Sequence, residues 1–143
     1  MIYKIIQTGT KYYQEMIALR MEVLLNPIGI SVTYIDQEKE KEDLLLCIEE
    51  DSQISGCCIL TKKKPGVVQL RQMAIKKEKQ GLGYGRDLLA FAEEVARSNG
   101  FEIIMMHARD AVIPFYEKCD YLITGEGFEE VGIGHHTMQK KLK

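Results

Sequence analysis

Gly81, Gly83 and Gly85 lie between an apolar run and an amphipathic segment, and their spacing points to chemistry more directly than any other feature of this chain. Glycine lacks a Cβ atom, so successive backbone N–H groups of such a loop can turn towards one point. A helix that begins there adds unpaired N–H donors and a partial positive charge. The loop is therefore predicted to bind an anion of the pyrophosphate type.

Basic side chains crowd the same segment. Lys76, Lys77, Lys79 and Arg86 outnumber the single acidic residue between them. In the whole chain the balance is the reverse, with 19 Lys and Arg against 21 Asp and Glu and a formal net charge of −2. The overall charge argues against a dedicated nucleic-acid-binding protein, whereas the local excess fits a phosphate site.

Two common phosphate-binding loops do not fit these residues. A Walker A loop requires Lys followed by Ser or Thr after its last glycine, and here Arg86 and Asp87 follow Gly85. A dinucleotide-binding loop requires a third glycine where Arg86 stands, and it belongs to an N-terminal βαβ unit rather than to a run of three strands. A helix that is capped by glycines and binds no ligand is the structural alternative.

The elements that position this loop follow from the hydrophobic pattern. Apolar residues recur at helical spacing after the capping residue Thr8 or Thr10, until Asn26 and Pro27 stop the helix. Three apolar runs joined by polar turns precede the loop and predict an antiparallel meander. The predicted strands span residues 2–6, 44–49, 54–61, 67–75, 101–107, 121–124 and 133–142, and the predicted helices span residues 11–25, 84–98 and 110–119.

This order of elements predicts one mixed α/β domain over residues 1–143, with a central sheet of antiparallel and parallel strands flanked by helices. The length fits a single domain of ordinary size. The pattern defines residues 28–43 least, and we expect their charged end, 37–43, to be a solvated loop or a short helix.

The cysteines, the histidines and the N-terminal residues bear on metal binding and on cellular location. Cys47, Cys57 and Cys58 lie in apolar runs, so they are predicted to be small buried side chains, and with Cys119 they form no C-x-x-C motif. Three histidines without suitably spaced carboxylates predict no metal site. Neither a signal peptide nor an apolar run of about 18 residues is present, so the sequence predicts a cytoplasmic protein without a membrane partner.

Two segments together resemble a known family. Residues 80–85, Gln-Gly-Leu-Gly-Tyr-Gly, match the Q-x-x-G-x-G motif of the GNAT superfamily of acyl-CoA-dependent N-acetyltransferases. Residues 111–121, Ala-Val-Ile-Pro-Phe-Tyr-Glu-Lys-Cys-Asp-Tyr, are similar to that family's A-x-x-F-Y-E-K-x-G-F segment. The resemblance covers the whole chain in the order of its elements and implies the GNAT acyl-CoA N-acyltransferase fold.

Two outer segments resemble the ElaA-like bacterial branch of this superfamily. Residues 19–29 are similar to its L-R-x-E-V-L-x-x-P-x-G pattern, and residues 125–138 to its E-x-F-x-E-x-G-I-x-H-x-x-M ending. The chain departs from the family pattern at Arg109, where Asn is usual, at Asp120, where Gly is usual, and at Tyr121, where Phe is usual. Arg109 puts one polar contact of the family in doubt.

The resemblance implies transfer of an acetyl group from acetyl-CoA to a primary amine, with no metal. It places the pyrophosphate on the glycine loop, and it places the pantetheine and thioester beside the backbone of the preceding strand, where an N–H near Met73 would stabilise the oxyanion. The implied CoA-binding residues are Met73, Ala74, Ile75, Gln80, Gly81, Leu82, Gly83, Tyr84, Gly85, Arg86, Arg109 and Phe115.

Tyr116 matches the family tyrosine that protonates the departing thiolate. A phenol has a pKa of about 10 and a thiol of about 8.5, so the transfer is mildly uphill and needs a well-placed hydrogen bond. Packing against the cofactor is the alternative role of Tyr116. As general base the resemblance offers Glu22, Glu130 and His135, or a chain of waters, whereas His107 is expected to be structural.

Two other functions share these sequence features. One is a non-catalytic acyl-CoA-binding module that regulates a partner, and the other is a nucleotide-binding interaction domain. The acidic residues of segment 36–43 would favour a cationic amine if they border the acceptor site, although a solvated run of charge is the simpler interpretation. Similar proteins are commonly homodimers.

Overall fold

A seven-stranded sheet forms the centre of the protein, which the computed structural model describes over residues 1–142. Helices pack on both faces of the sheet, as its apolar composition requires. The strands are β1 (Ile2–Ile6), β2 (Leu44–Glu50), β3 (Gln53–Lys64), β4 (Val67–Ile75), β5 (Ile103–Arg109), β6 (Leu122–Glu130) and β7 (Ile133–Lys141). The helices are α1 (Lys11–Arg20), α2 (Gln37–Glu40), α3 (Tyr84–Ser98) and α4 (Ile113–Lys118).

The strands lie in the order β1-β2-β3-β4-β5-β7-β6. Strands β1 to β4 form an antiparallel meander, which confirms the prediction for the three central apolar runs. Strand β5 then pairs in parallel with β4 after the crossover through α3, and the hairpin of β6 and β7 completes the sheet. The mixed α/β fold predicted from the sequence is therefore correct. In the described part of the chain, no helix has the length and apolar character that a membrane span needs.

The core has two layers because the central strands are apolar on both faces. One cluster lies under α3 and α4, and the other lies under α1. The neighbours Cys57 and Cys58 belong to different clusters, as the two-residue period of a strand dictates. Both thiols are buried, as predicted, together with Cys47. Burial raises the pKa of Cys57 to about 12, so this thiol stays protonated.

The first helix departs from its prediction at the C-terminal end. Thr10 caps it, because its Oγ1 accepts a hydrogen bond from the backbone N–H of Tyr13. The α-helical geometry ends at Arg20, however, and a π-helical turn over Met21–Leu25 and a 3₁₀ turn over Asn26–Ile28 follow. The chain is thus helical to residue 25, as predicted, but the last turn is π rather than α, because a π turn accommodates an extra residue that periodicity alone does not reveal.

The charged segment 37–43 is not simply solvated. Its first residues form the short helix α2, capped by Asp36, but Glu40 is only 3% exposed. Its carboxylate accepts hydrogen bonds from both Nη atoms of Arg20, at 2.9 and 2.7 Å, and a third from the hydroxyl of Tyr13 at 2.7 Å. A charged residue is buried here because its partners satisfy it, and these partners are distant in the sequence.

A bulge in β4 divides the sheet. Gln72 has a φ of 51°, and the register between β3 and β4 shifts beside it. Leu70 therefore packs under α3 while Ala74 packs under α1, although residues four apart in a regular strand share one face. The pairing of β4 with β5 stops at Leu70 and Met106. Beyond these residues the two strands separate and leave a gap in the sheet.

Candidate active-site cleft

The gap between β4 and β5 opens into a cleft of about 860 Å³. The π turn after α1, the loop before α3, helix α4 and the β6–β7 hairpin complete its walls. Most residues that the sequence predicted for the site meet here, although they come from six separate segments. Those that line the cleft are Met73, Ala74, Ile75, Gln80, Gly81, Gly83, Gly85, Arg86, Arg109, Phe115, Tyr116, Glu130 and His135.

The glycine loop forms one end of the cleft. Gly81 and Gly83 have φ values of 78° and 89°, which are left-handed conformations that favour glycine. Within residues 1–142 no side chain caps α3, and its first backbone hydrogen bond runs from the N–H of Asp87 to the carbonyl of Gly83 at 3.0 Å. The preceding N–H groups of the first turn therefore have no helical acceptor. This end of the cleft fits a diphosphate group.

Gln80 fastens the loop to the strand before it. Its Nε2 donates a hydrogen bond to the carbonyl of Ile75, at 2.9 Å, so the glutamine of the motif acts on the protein backbone. At the other end of the loop, Gly85 lies against Phe115, and a Cβ added at this glycine would stand 3.3 Å from the ring. The close contact explains why glycine suits this position.

Two predicted cofactor residues point away from the cleft. The side chain of Leu82 is exposed, and the hydroxyl of Tyr84 donates hydrogen bonds to both carboxylate oxygens of Glu50, at 3.0 and 2.8 Å. These bonds, together with that from Lys79, lower the pKa of Glu50. Leu82 and Tyr84 thus contribute no side chain to the cleft, although their backbone belongs to the loop.

The basic cluster predicted around the loop is smaller than the sequence indicated. Lys79 forms an ion pair with Glu50 at 3.2 Å, and Lys76 donates a hydrogen bond to Gln53 at 3.0 Å. Of the four basic residues in that segment, Arg86 lines the cleft. The backbone of the loop therefore provides more of the anion site than the sequence predicted, because two of the lysines have partners on the β2–β3 hairpin.

Tyr116 lies on α4 and lines the cleft. Its hydroxyl has a weak hydrogen-bond acceptor, the sulfur of Met73 at 3.7 Å. Burial raises the pKa of Tyr116, so the phenol holds its proton at neutral pH. Two residues beyond the end of α4, Asp120 has a left-handed conformation, with a φ of 73°. Asp120 therefore adopts the conformation for which the family usually has glycine.

The family pattern, which usually has Asn at position 109, did not indicate what Arg109 contacts. Its Nη2 donates a hydrogen bond to the carbonyl of Leu24, at 3.1 Å, and so connects β5 to the π turn across the cleft. This carbonyl belongs to the turn that the sequence predicted as regular helix. The sequence could identify Arg109 as unusual, but its partner depends on the tertiary structure.

The opposite end of the cleft contains a cluster of His107, Glu130 and His135, which we call the His–Glu cluster. These residues lie on β5, β6 and β7, which are adjacent in the sheet. Glu130 lies between the two imidazoles, with Oε1 at 3.1 Å from Nδ1 of His107 and Oε2 at 3.8 Å from Nε2 of His135. Phe128 packs edge-on against His107 and stacks on His135.

The sequence interpretation missed His107, which we expected to be structural. Its side chain lines the cleft because it lies two residues from Arg109 on β5 and therefore faces the same side of the sheet. The alternation along β5 could have indicated this. The position of Glu130 beside it could not be inferred, because it depends on the β5–β7–β6 order.

The structure does not bring Glu22 to the cleft. Glu22 lines a separate depression of about 280 Å³, together with Glu15 on α1 and Gln53 on β3. The acidic residues of segment 36–43 are also absent from the cleft lining. Both expectations are therefore corrected. The π turn places Glu22 outside the cleft, and Glu40 of α2 is buried in its pair with Arg20. Among residues 1–142, no three His, Cys, Asp or Glu side chains are arranged so that they could hold a metal ion.

The divided sheet, the glycine loop and the uncapped helix behind it are those of the acyl-CoA N-acyltransferase fold. Residues 30–142 match the family model described as an acetyltransferase (GNAT) domain. The chain therefore belongs to the GNAT family of acetyltransferases, which confirms the resemblance seen in the sequence.

Solved structures support the same fold. A putative N-acetyltransferase from Lactobacillus plantarum is 26% identical, with a TM-score of 0.88 and coverage of 100% of both chains. ElaA from Escherichia coli has a TM-score of 0.84 at 14% identity, over 98% of this chain and 99% of that one. A GNAT acetyltransferase from Elizabethkingia anophelis with acetyl-CoA bound has a TM-score of 0.78 at 17% identity, over 99% of this chain and 97% of that one. The last two similarities concern the fold alone.

The matches to curated relatives cover part of each protein. The uncharacterized protein YyaT of Bacillus subtilis is 28% identical over 74 residues, which are 52% of this chain and 50% of YyaT. The probable N-acetyltransferase 14 of Xenopus tropicalis is 24% identical over 123 residues, which are 76% of this chain and 60% of that protein. The chain thus spans between half and three fifths of the length of the curated relatives it matches.

Proposed function

We propose that this protein transfers the acetyl group of acetyl-CoA to the primary amine of an acceptor. The observation that carries the proposal is that the uncapped N-terminus of α3 and the hydroxyl of Tyr116 open onto one cleft. A phosphate group on the loop and a thioester near Tyr116 would then occupy one continuous space. The acetyl-CoA complex of the similar Elizabethkingia fold supports this choice of co-substrate.

The residues of the cleft divide the binding of acetyl-CoA among them. The backbone N–H groups of residues 81–86 would hold the pyrophosphate, helped by the positive end of α3 and by Arg86. The edge of β4 from Met73 to Ile75, which the bulge releases from β5, has backbone groups for the pantetheine amides. A backbone N–H near Met73 would stabilise the negative charge that develops on the thioester oxygen.

The reaction forms a C–N bond and breaks the C–S bond of the thioester. The departing thiolate takes the phenolic proton of Tyr116, and the ammonium formed by the attacking amine loses its proton to a base in the cleft. The raised pKa of Tyr116 keeps this proton available at neutral pH, although it makes the phenol a weaker acid. Of the bases that the resemblance offered, Glu130 and His135 line the cleft, whereas Glu22 does not.

The acceptor end of the cleft favours a cationic amine. Glu130 is the acidic residue among the described residues that line the cleft, and Ile28, Tyr34 and Val131 add apolar and aromatic surface. Two basic residues of the lining have partners of their own, since Arg109 donates to the carbonyl of Leu24 and Arg71 pairs with Asp43. An amine with an apolar or extended body would suit these walls, and the carboxylate would attract its ammonium group. The preference for a cationic amine thus rests on Glu130 and not on the acidic residues of segment 36–43, which do not line the cleft. The homodimer and the cytoplasmic location stay predictions from the sequence.

The second proposed function, an acyl-CoA-binding regulatory module, rests on the same loop. Glu130 and the two imidazoles favour the enzyme, because binding CoA alone requires no titratable groups at the far end of the cleft.

The proposal is tested by measuring acetyl-CoA binding and the release of CoA thiol, first in the wild-type protein and then in Tyr116→Phe. Acetyl-CoA should bind at one site in calorimetry, and free CoA thiol should appear when spermidine, an aminoglycoside or a lysine-containing peptide is added. The Tyr116→Phe variant should keep its Kd for acetyl-CoA but lose about 100-fold or more in kcat, since it lacks the proton donor.

Tyr3→Phe is the matched control, because Tyr3 also donates to a methionine sulfur but lies on β1, away from the cleft. It should leave both quantities unchanged. Absence of saturable acetyl-CoA binding would exclude both functions, and binding without thiol release would favour the regulatory module.

A further inference from the structure

The His–Glu cluster has a hydrogen-bond arrangement that distinguishes its two imidazoles. We propose that His107 is the base that accepts the proton of the attacking amine and that Glu130 is its positioning residue. This inference rests on the proposed acetyl transfer, because only that reaction requires a base at this end of the cleft. It names a residue that the sequence pattern left out.

His107 is held in one tautomer. Its Nδ1 lies 3.1 Å from Oε1 of Glu130, and a carboxylate accepts hydrogen bonds, so Nδ1 carries the proton of the neutral ring. The lone pair then resides on Nε2, which has no hydrogen-bond partner within residues 1–142. Since His107 lines the cleft, Nε2 is the atom of this ring that can take a proton from a bound amine.

His135 differs from His107 in its hydrogen bonds and in its exposure. Its Nδ1 donates a hydrogen bond to the carbonyl of Ile133 at 2.7 Å, so the lone pair of its neutral ring points along Nε2 towards Glu130, at 3.8 Å. The side chain of His135 is 5% exposed, against 27% for His107. The ring is also stacked on Phe128. The neutral ring of His135 therefore donates no hydrogen bond to the carboxylate, and it is less accessible to an acceptor than His107.

The proton step is balanced with these atoms. The amine nitrogen forms its bond to the acetyl carbon, and one N–H proton moves to Nε2 of His107. The ring becomes an imidazolium, which the Glu130 carboxylate stabilises through Nδ1, as the carboxylate does in an Asp–His pair. The imidazolium then releases the proton to water. Glu130 does not touch the reacting nitrogen, so its effect passes through His107.

Kinetics of His107→Ala test the base. The substrate is whichever of spermidine, the aminoglycoside and the lysine-containing peptide reacts fastest with the wild-type protein. With it, kcat should fall about 100-fold or more, while the Kd for acetyl-CoA should stay unchanged. Added imidazole should restore part of the rate, because a small base can enter the space of the missing ring. His136→Asn is the matched control, since His136 is on the same strand as His135 but pairs with Asp110 outside the cleft lining.

A double variant tests Glu130. Glu130→Gln alone should lower kcat about 10-fold to 100-fold, as the loss of an orienting partner does. In the His107→Ala background it should have little further effect, whereas a purely structural role would lower the rate in both backgrounds. Nitrogen-15 NMR gives an independent readout: His107 should carry its proton on Nδ1 in the wild-type protein and lose this preference in Glu130→Ala.

The outcomes separate this inference from the proposed function. If His107→Ala keeps the wild-type rate, or if His107 carries its proton on Nε2, the inference is overturned while acetyl transfer stands. If the wild-type protein binds acetyl-CoA and acetylates none of the amines, both are overturned.

Discussion

The two ends of the cleft are built by different means. The loop end consists of consecutive residues, 80–86, and offers mainly backbone N–H groups at the start of α3. The strand end consists of His107, Glu130 and His135, which come from three strands and offer side chains. A site made of backbone is visible as a short motif, because glycines must stand at fixed positions. A site made of side chains depends on strand order and register, which no short motif contains.

The ends should also respond differently to substitution. Apart from Gln80, whose side chain fastens the loop, the loop end should tolerate changes of side chain better than a Cβ added at its glycines, since its function depends on backbone conformation. The strand end should react to the loss of single functional groups, as predicted above for His107 and Glu130. Between the two ends lies the β4 bulge, where Gln72 accepts a hydrogen bond at 3.3 Å from Nε of Arg20.

The largest effect should follow from a change at this junction rather than at either end. Glu40→Ala removes the partner of Arg20, which is 1% exposed, and leaves a buried charge unpaired. We expect a loss of about 3–5 kcal/mol in the free energy of unfolding, measured by urea denaturation, because such a charge has no solvent to compensate it. If the bulge depends on this pair, CoA binding at the loop end and the rate of acetyl transfer at the strand end should decrease together.

Glu38→Ala is the control for this prediction, since Glu38 is on the same short helix but pairs with Lys41 at the surface. It should change the free energy of unfolding by about 0.5 kcal/mol or less. The pH dependence has a defined sign as well. Burial raises the pKa of Glu40, but hydrogen bonds and charge from Arg20 outweigh it and lower the pKa overall. The corresponding stability is present above the ordinary carboxyl pKa of about 4.3 and is lost as the pH falls below it.

An intermediate effect should follow from Gly83→Ala, which tests whether the loop end depends on backbone conformation. The added Cβ is strained at a φ of 89° and stands 3.3 Å from Nη2 of Arg86. We expect the Kd for CoA to rise about 10-fold, equivalent to about 1.4 kcal/mol, in isothermal titration calorimetry.

Gly100→Ala is matched to it, because Gly100 has a φ of 84° just beyond the other end of α3 and lies outside the cleft lining. Both variants should lose about 1–2 kcal/mol of stability from left-handed strain. Only Gly83→Ala should weaken CoA binding, and an equal effect of the two on Kd would contradict the role given to the loop.

The smallest effect should follow from Arg86→Gln, which tests the contribution of side-chain charge at the loop end. Arg86 is largely exposed, with 73% of its side chain accessible, so solvent screens its charge. We expect a loss of about 0.2–1 kcal/mol in CoA affinity, decreasing with added salt. Lys76→Gln serves as the comparison and should leave the Kd unchanged, because this lysine is bound to Gln53. A large increase in the Kd of Lys76→Gln would support the basic cluster that the sequence predicted.

The sequence predicted the glycine backbone of the loop end, but not that Tyr84 points away from the cleft or that Lys76 and Lys79 have partners on the β2–β3 hairpin. The positions of Gly81, Gly83 and Tyr116 followed from the motifs, and the meander and α3 followed from hydrophobic periodicity. These features are local: a strand of alternating burial, a helix with one apolar face and a turn that needs glycine are each specified by residues close in the chain. For the same reason the capping role of Thr10 could be predicted.

The strand end and the junction were decided by tertiary structure. The π turn directs Leu24 to the cleft while Glu22 lines another depression, a difference that the helical period cannot anticipate. Glu40 is buried because Arg20 and Tyr13 meet it from another helix. His107 and Glu130 become partners because β7 inserts between their strands, at 23 residues' separation in the chain. Local patterns determine which elements form, whereas the partner of a charged side chain is fixed only when the packed sheet brings distant residues together.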